Sequence, residues 1–102
     1  MKNKQHEYIF KAFLSSKIPA AVHEHAPNLI AVDSAIGGYC TQLLRHEKKF
    51  NCPTDSIISK EERGAFAKLI NQSSGMEKDE IVIYYRLAVL AEAVVLQYCA
   101  LC

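Results

Sequence analysis

Residues 81–102 read IVIYYRLAVLAEAVVLQYCALC, and only Arg86 and Glu92 in this stretch are charged. The run contains neither Gly nor Pro, so it predicts one long helix that is apolar around most of its circumference. A helix of this kind must be covered on nearly all sides. We therefore predict an all-α fold, a small bundle of about four helices in which the C-terminal helix is central and buried.

The same stretch is about long enough to cross a bilayer, which makes a tail-anchored membrane protein the lesser alternative. Glu92 lies in the middle of it, where a carboxylate costs roughly 2 to 3 kcal/mol on insertion scales. On a helical wheel, Asp79 and Gln97 fall within about 20 degrees of Arg86, which is the narrow polar stripe of a core helix. These features favour burial in protein, and we predict that the chain does not enter a membrane.

Length and charge indicate one helical domain spanning residues 1–102 with no strong electrostatic field. Lys and Arg together number 12 and Asp and Glu 11, so no excess of positive charge attracts nucleic acid. The first seven residues are polar and are not followed by the apolar core of a secretory signal peptide, so we predict a cytoplasmic protein. In that compartment the cysteines are expected to be reduced, with disulfides as the alternative.

Proline, glycine and helix-capping residues divide the remaining chain into three further helices. Pro19 ends the first, because it lacks an amide proton and disfavours helical geometry in the residue before it. Pro27 suits the first position of the second helix, which continues to about residue 46. Ser59 and Glu62 form the Ser-x-x-Glu pattern of a capping box at the start of the third, and Gly75 suits its end.

The pair Gly37-Gly38 interrupts the second helix and allows two interpretations. We favour a continuous helix, in which Ala31, Ser34, Ala35 and Gly38 form a flat surface where another helix crosses closely. The alternative is a turn, which would make the segment resemble a helix-turn-helix with a recognition helix over residues 41–49. The possible nucleic-acid contacts are then Thr41, Gln42, Arg45, Lys48 and Lys49.

Patterns typical of catalysis or metal binding are nearly absent. The sequence has no nucleophile elbow, phosphate loop, dinucleotide fingerprint or His-Glu-x-x-His motif. Cys99 and Cys102 are spaced as one zinc-ligand pair, but no second Cys-x-x-Cys completes a set of four. We therefore predict no enzyme activity, cofactor or metal. Glu92 is six residues from Arg86, so a cation from another helix or subunit is its expected partner.

The other predicted helices offer few large apolar side chains to cover the last one. A second copy of the chain is the most economical cover, so we predict a homodimer or tetramer assembled through the C-terminal helix. The predicted oligomer interface comprises Tyr84, Leu87, Val89, Leu90, Glu92, Val94 and Leu96. The expected function is non-enzymatic binding of another protein, as a regulator, adaptor or inhibitor of the immunity type. A dimeric helix-turn-helix regulator is the alternative.

Overall fold

The computed structural model describes residues 4–47, 51–53 and 55–100, and these form helices and loops without a strand. The helices are α1 (Lys4–Ser15), α2 (Ala20–His25), α3 (Ile30–Leu44), α4 (Lys60–Gln72) and α5 (Gly75–Ala100), with a 3₁₀ turn at Pro27–Leu29 before α3. The prediction of a small all-α bundle is confirmed. The short α2 lies where the sequence has no clear periodicity, between Pro19 and Pro27.

The longest helix, α5, is the common packing partner of the other four α-helices. Its inner face carries a row of buried residues three and four apart: Ile81, Tyr84, Ala88, Ala91 and Val95. This spacing places the row on one side of a helix, where α1 and α3 contribute Phe10, Phe13 and Ile36. The central position of the C-terminal helix is confirmed, but its outer face is open to solvent.

The capping box predicted before α4 is present. The Ser59 hydroxyl oxygen accepts a hydrogen bond from the Glu62 amide at 3.1 Å, and the Glu62 carboxylate accepts one from the Ser59 amide at 2.8 Å. Two amides that lack helical partners are thereby satisfied. Gly75 does not end α4 as predicted, because Ser73 caps that helix in an extended conformation. Gly75 is instead the first residue of α5, with a φ of 62°, a left-handed conformation that glycine adopts without steric cost.

Gly37 and Gly38 lie inside α3, which continues through them without a turn. The prediction of a continuous helix is confirmed, and the turn required by the helix-turn-helix alternative is wrong. The predicted crossing surface is also wrong, because Ala31, Ser34, Ala35 and Gly38 are exposed in the folded chain. Of the two glycines in α3, only Gly37 comes close to another helix, since a Cβ there would lie 3.6 Å from Leu14 Cδ2 of α1.

We expect Gly38→Ala to raise the free energy of unfolding by about 0.5 to 1 kcal/mol, measured by urea denaturation. A Cβ at Gly38 would have no atom within 4 Å, so only the helix propensity changes. Gly75→Ala is the matched control, because its positive φ should reverse the sign of the effect. A Gly38→Ala protein less stable than the original chain would contradict the continuous helix.

Candidate functional site

A buried carboxylate joins three parts of the chain. Glu92 on α5 is 3% exposed. Its Oε1 accepts a hydrogen bond from Arg63 Nη2 of α4 at 2.5 Å, and its Oε2 accepts one from the Ile58 amide at 2.7 Å. The expectation that a cation from another helix pairs with Glu92 is confirmed. The carboxylate therefore connects α5 to α4 and to the loop that precedes α4.

Arg63 lies at the edge of this cluster with its side chain 38% exposed. Burial alone would lower the pKa of its guanidinium, but the negative charge of Glu92 and hydrogen bonds to Tyr85 and Glu92 outweigh burial and raise it. The Tyr85 ring packs on Phe66 of α4, with ring centroids 4.6 Å apart. Aromatic packing and the ion pair thus hold the same two helices together.

A second polar contact crosses the core between α3 and α5. The Tyr84 hydroxyl donates a hydrogen bond of 2.7 Å to Asp33 Oδ1, which satisfies a phenol that is otherwise buried between Phe13 and Phe66. Burial first, and then this hydrogen bond and the charge of Asp33, raise the pKa of Tyr84. Burial also raises the pKa of the Cys40 thiol to about 12. Both side chains therefore stay protonated in the folded protein at neutral pH.

We expect the free energy of unfolding to fall as pH rises from 9 towards 12. The folded state holds the Cys40 proton up to a pKa of about 12, whereas the unfolded thiol loses it near 9. The stabilisation that comes from the protonated Cys40 thiol is complete below pH 9 and is lost as pH rises from 9 to 12. Tyr84, whose pKa is also raised, adds to the loss above its ordinary pKa of 10. Urea denaturation across this pH range measures how steeply the free energy of unfolding falls with pH. The fall should be shallower in Cys40→Ala, and an unchanged dependence on pH in that variant would contradict the raised pKa of Cys40.

The outer face of α5 carries a row of exposed apolar side chains. Met76, Ile83 and Leu90 are 81%, 59% and 49% exposed and are spaced seven residues apart. Asp79 and Arg86, both exposed, lie between them. Because seven residues are about two helical turns, the five side chains share one side of the helix. We call this set the outer row.

The predicted oligomer interface is divided by the fold. Tyr84, Glu92 and Val94 are buried within the single chain, which leaves them unavailable to a second copy. Leu87, Val89 and Leu96 are half-buried, and Leu90 is exposed. Self-association remains a prediction, but the residues that can support it are Leu90 and its neighbours on the outer row.

Of the residues proposed to contact nucleic acid, Arg45 alone is exposed in the described part of the chain. Thr41 donates its hydroxyl to the Gly37 carbonyl at 2.8 Å, and the amide oxygen of Gln42 is buried. Arg45 is exposed just after the end of α3, while Lys48 and Lys49 lie outside the described residues. Because α3 has no turn at Gly37-Gly38, Thr41 and Gln42 belong to α3 itself and not to a separate recognition helix.

The cysteines differ from the prediction. A disulfide joins Cys52, in the loop before α4, to Cys99 near the end of α5, with their Cα atoms 5.9 Å apart. Cys99 is therefore not a free metal ligand, and Cys102 lies outside the described residues. In the part of the chain that the structure describes, no three His, Cys, Asp or Glu residues are grouped so as to hold a metal ion.

Sequence reasoning identified Glu92 but missed several residues that complete these sites. Arg63, Ile58 and Asp33 are brought to α5 by tertiary packing, and no local pattern marks them. Met76 and Ile83 could have been found, because they precede Leu90 at intervals of seven residues.

By length and composition, α5 also meets the requirements of a membrane span, alone among the described helices. Its most apolar window has a mean hydropathy of 1.5, and 39% of that window is buried inside the fold. Core helices of soluble proteins have the same properties.

The chain was also compared with known proteins. No protein-family model, no curated protein and no solved structure matches it.

Proposed function

We propose that this protein is a non-enzymatic binding protein that self-associates through the outer row of α5 and acts on another protein as a regulator, adaptor or inhibitor. The observation that carries the proposal is the row itself. Half of the six large hydrophobic residues that are exposed in the described chain lie in it, at Met76, Ile83 and Leu90. Large apolar side chains that are grouped on the exposed surface of a folded protein are typical of protein interaction sites.

The interior polar groups support a structural rather than a catalytic role. Glu92 is paired with Arg63, and Asp33 accepts a hydrogen bond from the Tyr84 hydroxyl. Each contact joins α5 to another helix, so each has a clear function in folding. The outer row has no such explanation within its own chain, which makes it the better candidate for binding.

Light scattering without detergent, over about a hundredfold range of protein concentration, tests the proposal. We expect a mass of two or four chains that decreases on dilution. Ile83→Lys should yield a mass of one chain, because burying an ammonium group without a partner is unfavourable. Tyr8→Lys is the matched control, since Tyr8 is 74% exposed on α1 and is not part of the outer row. A mass of one chain for the original protein throughout would contradict self-association.

Membrane anchoring through α5 is a second candidate, favoured by the length and hydropathy of that helix. The Glu92 pair with Arg63 counts against it, because the helix would have to leave this ion pair or carry it into hydrocarbon. Aggregation relieved only by detergent in the same scattering experiment would favour the membrane and contradict the self-association proposal.

A further inference from the structure

The outer row is self-complementary about Ile83. Met76 and Leu90 lie seven residues before and after it, and the row also carries Asp79 four residues before and Arg86 three residues after. Apolar side chains are thus symmetric about Ile83, while the charges have opposite signs on its two sides. A two-fold axis through such a centre places unlike charges opposite each other.

We propose that α5 pairs with α5 of a second copy in an antiparallel, two-fold symmetric homodimer whose axis passes through Ile83. This inference rests on the proposed function and specifies its partner and geometry. Ile83 then contacts Ile83 of the second copy, Met76 contacts Leu90, and Asp79 lies opposite Arg86. Each of the last two contacts occurs twice, as an isologous interface requires.

The charges favour this orientation over a parallel one. Within the described residues neither Asp79 nor Arg86 has an ion-pair partner in its own chain. Antiparallel pairing gives each charge a partner of opposite sign. A parallel two-fold pair would instead bring Asp79 level with Asp79 and Arg86 level with Arg86, and like charges facing each other are unfavourable. Because the antiparallel pair uses the whole row in both copies, it closes at two chains.

The shape of the surface beside Leu90 also favours the antiparallel pair. Beside Leu90 lies a hollow of about 440 Å³, lined by Arg63, Tyr85, Arg86, Val89 and Leu90. Met76, the most exposed large hydrophobic residue in the described chain, is level with Leu90 of the second copy in the proposed register. Its flexible, unbranched side chain is well suited to fill an irregular apolar hollow. The same contact forms at the other end of the interface.

A charge-exchange experiment tests the register. Asp79→Arg and Arg86→Asp should each weaken dimer association about tenfold or more, because each creates two like-charge contacts. Combining the two substitutions exchanges the charges and should restore association to within about threefold of the original chain. Lys68→Glu, an exposed charge reversal on α4, should leave association unchanged.

Cysteine cross-linking in a Cys102→Ser background gives an independent readout. Ile83→Cys should form a covalent dimer on mild oxidation, because the two copies of residue 83 meet at the axis. Met76→Cys should not cross-link to itself, since the two copies of residue 76 are about 21 Å apart along the antiparallel helices. Equal mixing of Met76→Cys with Leu90→Cys chains should produce a mixed dimer.

The outcomes separate this inference from the proposal on which it rests. A dimer in which Met76→Cys cross-links to itself, or in which the combined charge exchange fails to restore association, would overturn the antiparallel register and leave self-association intact. A mass of four chains would overturn the closed two-fold dimer. A mass of one chain at every concentration would overturn both.

Discussion

Replacing Glu92 with Ala is expected to lower the free energy of unfolding by about 3 kcal/mol. The substitution leaves the Ile58 amide buried without an acceptor and removes the counter-charge of Arg63. It also opens a cavity beside α4. The partial exposure of Arg63 limits the loss, because its guanidinium can still reach water. Urea denaturation at neutral pH measures the change.

Two further variants separate the parts of this effect. Glu92→Gln keeps an oxygen acceptor for the Ile58 amide and should cost less than Glu92→Ala. Combining Arg63→Ala with Glu92→Ala should cost less than the sum of the two single changes, because the two residues act as a pair. Lys68→Ala, which removes an exposed cation from α4 outside the outer row, should change stability by no more than about 0.5 kcal/mol. Equal losses for Glu92→Ala and Lys68→Ala would contradict the buried pair.

The structure shows which features of this chain are encoded locally. The capping box at Ser59 and the long apolar helix α5 both depend on residues that are neighbours in sequence, so both were predictable. The partner of Glu92 was predictable only as a cation from elsewhere. Its identity depends on how α4 packs on α5, which places Arg63 against a residue 29 positions away in sequence. The Ile58 amide belongs to a loop whose course no local pattern specifies.

Two wrong expectations have a related cause. The small residues from Ala31 to Gly38 were assigned to a helix crossing, but small side chains permit close approach without requiring it. The cysteines were expected to be reduced because the compartment was inferred from the N-terminus. Cys52 and Cys99 are 47 residues apart, and nothing in their spacing indicates that the loop before α4 returns to the end of α5.

Loss of the Cys52–Cys99 disulfide is expected to lower the free energy of unfolding by about 4 kcal/mol. The bond closes a loop with a sequence separation of 47 residues, and the chain-entropy model gives roughly this value for a loop of that size. Cys52→Ser should therefore unfold at a much lower urea concentration than the original chain without reductant. With reductant the two proteins should be almost equally stable, which provides an internal control.

A thiol count establishes whether the bond is present. The sequence has four cysteines, so denatured protein under non-reducing conditions should show two free thiols, and four after reduction. Four thiols without reductant, or equal stability of Cys52→Ser and the original chain without reductant, would contradict the disulfide. The same count on protein taken rapidly from cells addresses the predicted cytoplasmic location, where stable disulfides are rare.

Reduction should also act locally before the whole chain unfolds. The disulfide anchors the loop that carries Ile58, and the Ile58 amide donates to Glu92. We expect hydrogen exchange at this amide to accelerate on reduction more than exchange at Phe66 inside α4, because opening the loop does not require opening the helix. Equal acceleration at both amides would mean that loop and helix open together. In that case the disulfide would stabilise the bundle as one unit, and its effect on Glu92 would be indirect.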